Sequence, residues 1–344
     1  MSNWYYDTFS NILLDLEEYI KNYSERRPKV SPLLGEMIDH HFGWEPNKPT
    51  TQLNGKRSRP LMMILVAQAI SGEYRHVYPA AAGIEIIHNF TLIHDDVMDN
   101  SLERRHRPAL WAKWNISQAI NVGDGLFALG VSASLDVLQE LVAPEKIIRA
   151  TTGLLEASIE TVEGQMLDIS FETRMDVTPE EYLTMIYHKS GALIKCSALL
   201  GALLTTDDEQ TIQAYAEFAK NLGIAFQIQD DYLGVWGNEA VTGKSATTDI
   251  ENKKKSYPVL ITLRKANAAQ KEKLFEIYAH ESIAGEDIET VLQIFDEVNA
   301  KEETNRLINT YYEQSIAALQ NVASGNQDHD LLLQLAEFLI KRNY

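Results

Sequence analysis

The residues best suited to chemistry form two acidic segments, Asp95-Asp96-Val97-Met98-Asp99 and Gln229-Asp230-Asp231-Tyr232-Leu233-Gly234. Both lie in otherwise apolar, helix-like sequence. Carboxylates at i, i+1 and i+4 put two of the three on one side of a helix, one turn apart. Burying so much like charge is unfavourable unless a cation sits between the segments. Opposed hard oxygen donors suit Mg²⁺, which keeps several waters and shares its shell with substrate phosphates. The pair therefore reads as a Mg²⁺–diphosphate site. Arg104-Arg105 follows the first segment after four residues, and guanidiniums grip diphosphate oxygens bidentately.

Further cations stand beside these acids. Gly55-Lys56-Arg57-Ser58-Arg59-Pro60 puts three at the start of a helix, where free N–H groups bind anions. Lys189-Ser190-Gly191 sits inside an apolar helix, where an unpaired Lys is costly. Gly243-Lys244 and Lys253-Lys254-Lys255 flank Asp249 in a polar loop. Taken singly, the first of these segments can also be read as a solvated basic turn, and a triple Lys is usually solvated. With 49 acids against 31 bases in the chain, bases near both acidic segments are what a diphosphate would require.

Helical periodicity places these groups. Residues 8–42 read as amphipathic helix broken near Pro28 and Pro32, and 43–55 as a loop. Helical patterns cover 61–71, 79–100, 116–141, 144–173, 179–205, 208–234 and 258–266. Pro79, Pro144, Pro179 and Pro258 fit first-turn positions. Alternating strand patterns are essentially absent, so the fold class is all-α with long helices. Several are apolar almost all round, as a buried central layer would be. At ~100° per residue, His88, Thr91 and Asp99 lie within about 40° of Asp95, and Asp96 a quarter turn away.

The chain has 344 residues, 45% of them hydrophobic, and a formal charge of −18. No Pro/Gly/Ser linker divides it, so a single domain over 1–344 is expected. The acidic balance argues against nucleic-acid and anionic-lipid partners. No apolar run approaches the ~18 residues of a membrane span. The N-terminus lacks a signal-peptide pattern. A lone Cys196 fits a reducing, cytoplasmic setting.

From about Gly55 to Pro258 six motifs stand in order: GKRSRP, IEIIHNFTLIHDDVMDNSLERR, AINVGD, YHKSGALI, FQIQDDYLG and GKSATTDIENKKKSYP. They resemble the trans-isoprenyl diphosphate synthases, or polyprenyl synthetases, and among these the geranylgeranyl diphosphate synthases. The resemblance implies the isoprenoid synthase fold, a single-domain helical bundle around a central cavity. It implies Mg²⁺-dependent, head-to-tail condensation of isopentenyl diphosphate with an allylic diphosphate, by ionisation to an allylic cation. The implied product is geranylgeranyl diphosphate (C20). Alternatives are a farnesyl or longer (C25+) synthase, or a catalytically weak regulatory subunit.

By the same resemblance, Gly55, Lys56, Arg59, His88 and Arg105 hold isopentenyl diphosphate. Asp95, Asp96 and Asp99 hold the allylic diphosphate through Mg²⁺, assisted by Arg104, Lys189, Ser190, Gln227, Lys244 and Lys254. Asp230 takes the third Mg²⁺, with Asp231 behind it. Catalysis would rest on Asp95, Asp96, Asp99, Arg104, Lys189, Asp230 and Lys244. Phe90 and Thr91 would set chain length, although Phe90 lies about 140° round an ideal helix from Asp95. A homodimer is implied. Three positions depart from the common pattern: Gly234 replaces a third Asp, His106 follows the Arg pair where Gly is usual, and Ser190 stands for Thr.

Overall fold

Each of the four prolines opens a helix, because a first-turn proline gives up an N–H that has no intrahelical partner. The computed structural model describes residues 3–26, 30–44, 55–137, 141–237, 247–320, 322 and 327–341. Helices α1 (Asn3–Glu25), α2 (Pro32–Phe42) and α3 (Ser58–Ser71) come first. Then follow α4 (Tyr78–Met98), α5 (Leu110–Lys113), α6 (Ile116–Ser134), α7 (Pro144–Glu172), α8 (Pro179–Ile186) and α9 (Ala192–Leu203). The remainder are α10 (Glu209–Trp236), α11 (Thr248–Glu251), α12 (Tyr257–Lys265), α13 (Ala268–Ala279), α14 (Glu286–Glu297), α15 (Ala300–Ala318) and α16 (Gln327–Lys341). The fold is all-α, of the isoprenoid synthase type.

The described residues fall into two units by density of internal contacts, one drawn from Met1–Glu156, Cys196–Gln213 and Ala323–Leu335, the other from Ala157–Lys195, Ala214–Val322 and Ala336–Tyr344. In the first unit α4 packs on α6, α3 and α1. Leu61 to Ala67 of α3 and Ala80 to Ile87 of α4 are buried without a break, which is the all-round apolar pattern expressed as structure. In the second unit α12 packs on α15, α14 and α8.

Four local differences from the periodicity have physical causes. α1 begins at Asn3 rather than near 8, since Tyr5 and Phe9 are fully buried and packing extends the helix. α6 stops at Ser134 rather than 141. Ser134 Oγ bonds back to Val131 O at 2.8 Å, and Leu135 caps the end, a local bond that competes with further helix. The expected helix 179–205 is interrupted by a π turn at Tyr187–Gly191, a feature that clusters at functional sites. A two-residue hairpin, Glu103–Arg104 against Arg107–Pro108, follows α4. Its tip residues Arg105 and His106 both have positive φ, 53° and 61°, as a primed turn requires. His106 thus occupies a left-handed position that glycine fills without strain and that His tolerates better than most residues.

Candidate active site

In the first unit the site is built on a buried ion cluster. Arg57 immediately precedes α3, with φ 48°. Its Nε and Nη2 donate to both carboxylate oxygens of Glu17, at 2.7 and 2.8 Å, and its Nη1 donates to Glu85 Oε1 at 2.8 Å. Trp44 Nε1 also donates to Glu17, at 2.7 Å. Burial works against the Arg57 charge, but the two glutamates outweigh it and hold its pKa above the usual range. Paired this closely, a buried charge fixes its backbone. Lys56 and Arg59 leave the chain on either side of that anchor, and Lys56 O accepts the Tyr5 hydroxyl.

Arg59 Nη1 donates to His88 Nε2 at 3.1 Å. Burial, then Arg59 and Arg105, push the His88 pKa well down, so the ring is neutral and can accept. Arg105, on the hairpin tip, donates to Asn89 Oδ1 at 3.5 Å. A Cβ on Gly55 would sit 3.3 Å from Arg105 Nη2, so the Gly55 backbone adjoins that guanidinium. Burial and then Arg57 push the Arg105 pKa down to about 10, with Arg104 adding to the shift. His41 is half-buried, its pKa is pushed well down by burial and then Arg105, and it donates from Nε2 to Asn89 Oδ1 at 3.1 Å. Arg59, His88 and Arg105 therefore form one cation-rich neighbourhood beside the Gly55 backbone, with Lys56 next to Gly55 in the chain, and the arginines raise each other's energy. An anion relieves such repulsion.

At the C-terminal end of α4, Asp96 is buried and accepts from Arg104 Nε and Nη2 at 2.7 to 2.9 Å. Asp95 is half-buried and Asp99 is exposed at the helix end. The quarter-turn offset read from periodicity thus becomes a division of labour. Asp96 grips an arginine inside the protein, while Asp95 and Asp99 share the other side. Thr91 is half-buried, and its hydroxyl bonds to His88 O at 2.7 Å. Phe90 faces α6, with its ring centroid 5.4 Å from Phe127 and 4.9 Å from His94.

In the second unit Asp231 is buried. Its Oδ2 accepts from Tyr182 Oη at 2.5 Å and from the Tyr257 N–H at 3.1 Å, and its Oδ1 from Lys254 Nζ at 2.8 Å. Lys254 also reaches Asp249 Oδ2 at 3.4 Å. Burial opposes the Lys254 charge, but Asp231 and Asp249 more than offset it and raise its pKa. Burial raises Asp249 to about 6; Lys254 opposes this, and Asp231 and Asp230 add to it. Lys189, in the π turn, pairs with Asp168 of α7. Glycine is required opposite that turn, because a Cβ on Gly164 would lie 2.1 Å from Lys189 N. Asp230, Gln227 and Ser190 are half-buried. Lys244 lies outside the described residues.

The donor chemistry fits hard divalent cations. Asp95 and Asp99 offer carboxylate oxygens one turn apart. In the second unit Asp168, Asp230, Asp231 and Asp249 outnumber the ammonium groups of Lys189 and Lys254. Among the described residues no three His, Cys, Asp or Glu side chains form a metal-holding group by themselves. Mg²⁺ is commonly held by one or two carboxylates, with phosphate and water completing its shell.

A model of the polyprenyl synthetase family matches residues 44–295. The chain belongs to that family. It is a trans-prenyltransferase. The chain is 37% identical over 336 residues to a geranylgeranyl diphosphate synthase of Saccharolobus solfataricus, covering 97% of each chain. It superposes on a geranylgeranyl pyrophosphate synthetase of Pyrococcus horikoshii with a TM-score of 0.88 at 29% identity, over 99% and 100% of the two chains. A polyprenyl synthase of Caulobacter crescentus, solved with calcium and isoprenyl diphosphate, matches with a TM-score of 0.83 at 25% identity, over 99% and 97%. No helix among the described residues of this polyprenyl synthetase is long and apolar enough to cross a membrane.

Sequence reasoning missed the groups that pair with the candidate site residues and with Arg57 of this polyprenyl synthetase: Glu17, His41, Glu85, Asn89, Asp168 and Tyr182. One signal was readable. Glu85 is a lone acid in the apolar run Ala80–Ile87, and a buried charge must find a partner. Glu17 gave none, because it sits on an amphipathic helix where a glutamate reads as solvated.

Proposed function

We propose that this prenyltransferase joins isopentenyl diphosphate to an allylic diphosphate head to tail and releases the C20 product. The observation that carries the reading is the cation-rich neighbourhood of Arg59, His88 and Arg105 beside Gly55 and Lys56. It provides a seat for a diphosphate separate from the Asp-bearing end of α4. A second, homoallylic diphosphate is what distinguishes chain elongation from cyclisation of a single one.

Asp95 and Asp99 would hold Mg²⁺ in the first unit and Asp230 would hold Mg²⁺ in the second, and the bound metal would neutralise charge on the departing diphosphate. Asp96 orients Arg104, and Asp231 orients Lys254. Lys189, Ser190, Gln227 and Lys254 receive the allylic diphosphate, with Lys244 assigned there by sequence. Lys189 would exchange Asp168 for phosphate oxygens. As the allylic C–O bond breaks, its electron pair leaves with diphosphate. The isopentenyl alkene supplies the new C–C bond, and the proton it loses goes to the released diphosphate. Preorganised cations aimed at the leaving group are the kind of contribution that usually dominates catalysis. Phe90 and Thr91 set the product length.

Incubation with labelled isopentenyl diphosphate and dimethylallyl, geranyl or farnesyl diphosphate, followed by mass spectrometry, tests this reading. C20 product is expected from each starter. Absence of elongation would overturn the reading, and a series ending at C15 would overturn only the length. Lys56→Ala and Arg59→Ala should raise KM for isopentenyl diphosphate about tenfold or more, the scale of one charged hydrogen bond, with a smaller effect on the allylic KM. Equal effects on both substrates would reassign the subsite. We also propose that the chain acts as a single catalytic domain and as a homodimer. Ile159, Val162, Met166 and Ile169 are exposed at helical spacing on α7, and a stripe of this kind suits burial against a second copy. A one-chain mass by light scattering at micromolar concentration would exclude the dimer.

A further inference from the structure

Arg57 stands inside the basic segment Gly55–Pro60, yet its side chain is wholly buried and has no surface to offer a ligand. It is held from three sides. Its Nε and Nη2 fork onto the two carboxylate oxygens of Glu17 on α1, and its Nη1 reaches Glu85 of α4. The Phe42 ring lies 5.4 Å from the guanidinium carbon and stacks on Trp44, which itself donates to Glu17. The backbone is constrained as well. Its φ of 48° is a left-handed value that a residue with a side chain keeps only where its surroundings over-determine it. The Arg57 carbonyl accepts the Leu61 N–H at 3.0 Å and so opens α3. Residue 57 thus sets the angle between Lys56, whose carbonyl accepts the Tyr5 hydroxyl, and Arg59 in the first turn of α3.

We propose that Arg57 is a positioning residue for the homoallylic diphosphate: the Glu17 fork locks the left-handed turn, and the turn directs Lys56 and Arg59 to one anion. The inference rests on the isopentenyl diphosphate seat proposed above. It predicts a sign opposite to that of simple electrostatics. By its field alone Glu17 is a hindrance, since a carboxylate near an anion site weakens binding, and neutralising it would lower KM. As the holder of Arg57 it is needed, and neutralising it raises KM.

Steady-state kinetics give KM for isopentenyl diphosphate and for geranyl diphosphate separately, with thermal melts of each variant. Glu17→Gln keeps the shape but leaves one oxygen where the fork uses two. It should raise KM for isopentenyl diphosphate about tenfold, the scale of one charged hydrogen bond, with the allylic KM and kcat near the parent values. Arg57→Lys keeps the charge but not the fork, so it should act in the same direction and tests the turn even if Glu17→Gln folds poorly. Glu85→Gln is the matched control. It removes the same charge, while its remaining oxygen still serves Arg57 Nη1 and Asn89 Nδ2, so KM should stay level or fall. A parent-like or lowered KM in Glu17→Gln or in Arg57→Lys, or an equal rise in Glu85→Gln, would overturn the proposal. Lys56→Ala and Arg59→Ala separate this from the reading beneath it. If they raise the homoallylic KM selectively and Arg57→Lys does not, only the positioning role fails. If they too leave that KM unmoved, the seat itself fails and the proposal falls with it.

Discussion

Replacing Asp95 or Asp99 by Ala should cut turnover by about 10³-fold or more, the scale on which preorganised charge stabilisation is lost, and leave the melting temperature equal or higher. The stability half of this expectation follows from where the groups sit. Both carboxylates lie in or just beyond the last turn of α4, where the helix dipole disfavours negative charge. They also repel one another and Asp96. Removing either relieves that repulsion in the resting protein. Asp96→Ala provides the contrast. It leaves Arg104 without its buried bidentate partner, so stability should fall along with activity. Single-turnover kinetics and thermal melts on the three variants check this. Parallel losses of activity and stability in the Asp95 and Asp99 variants would mean a structural role for the acidic segment.

The sequence carried the acidic segments, the bases and the helices that bear them, because each follows from local rules. A 3.6-residue period separates Asp96 from Asp95 and Asp99, and in the structure Asp96 turns inward to Arg104. First-turn prolines mark helix starts whatever the tertiary context. The supports were illegible for the opposite reason. Glu17 and Arg57 are 40 positions apart, and their pairing depends on how α1 meets the turn before α3. Lys254 reads as one of three solvated lysines until Asp231 and Asp249 are placed around it. The hairpin at Arg104 is too short to produce an alternating pattern, and its double left-handed tip belongs to residues, Arg105 and His106, that do not announce one.

Product length is the second large effect expected. One isoprene unit is about as long as one helical turn, ~5.4 Å, so the first bulky group met below Asp95 should stop growth. Thr91, one turn below on the same face, is small and lets the chain pass. Phe90 is turned well round α4 from Asp95, as an ideal helix requires, and it meets Phe127 of α6 in an edge-on aromatic contact. If Phe90 is the floor, the two rings, with His94 against Phe90, would make a wider barrier than either alone. Phe90→Ala should therefore shift products from C20 to C25 and beyond, and Phe127→Ala should move them in the same direction. Thr91→Phe should shorten them toward C15 by placing a ring one turn below the metal-binding acids. Because Phe90 is only half-buried, its removal should cost less than the ~3–5 kcal/mol of a fully buried Phe. Mass spectrometry of products, read beside melts of the same variants, separates a floor from ordinary packing. If Phe90→Ala and Thr91→Phe both keep the parent product length while stability drops, the α4–α6 aromatic contact is packing alone.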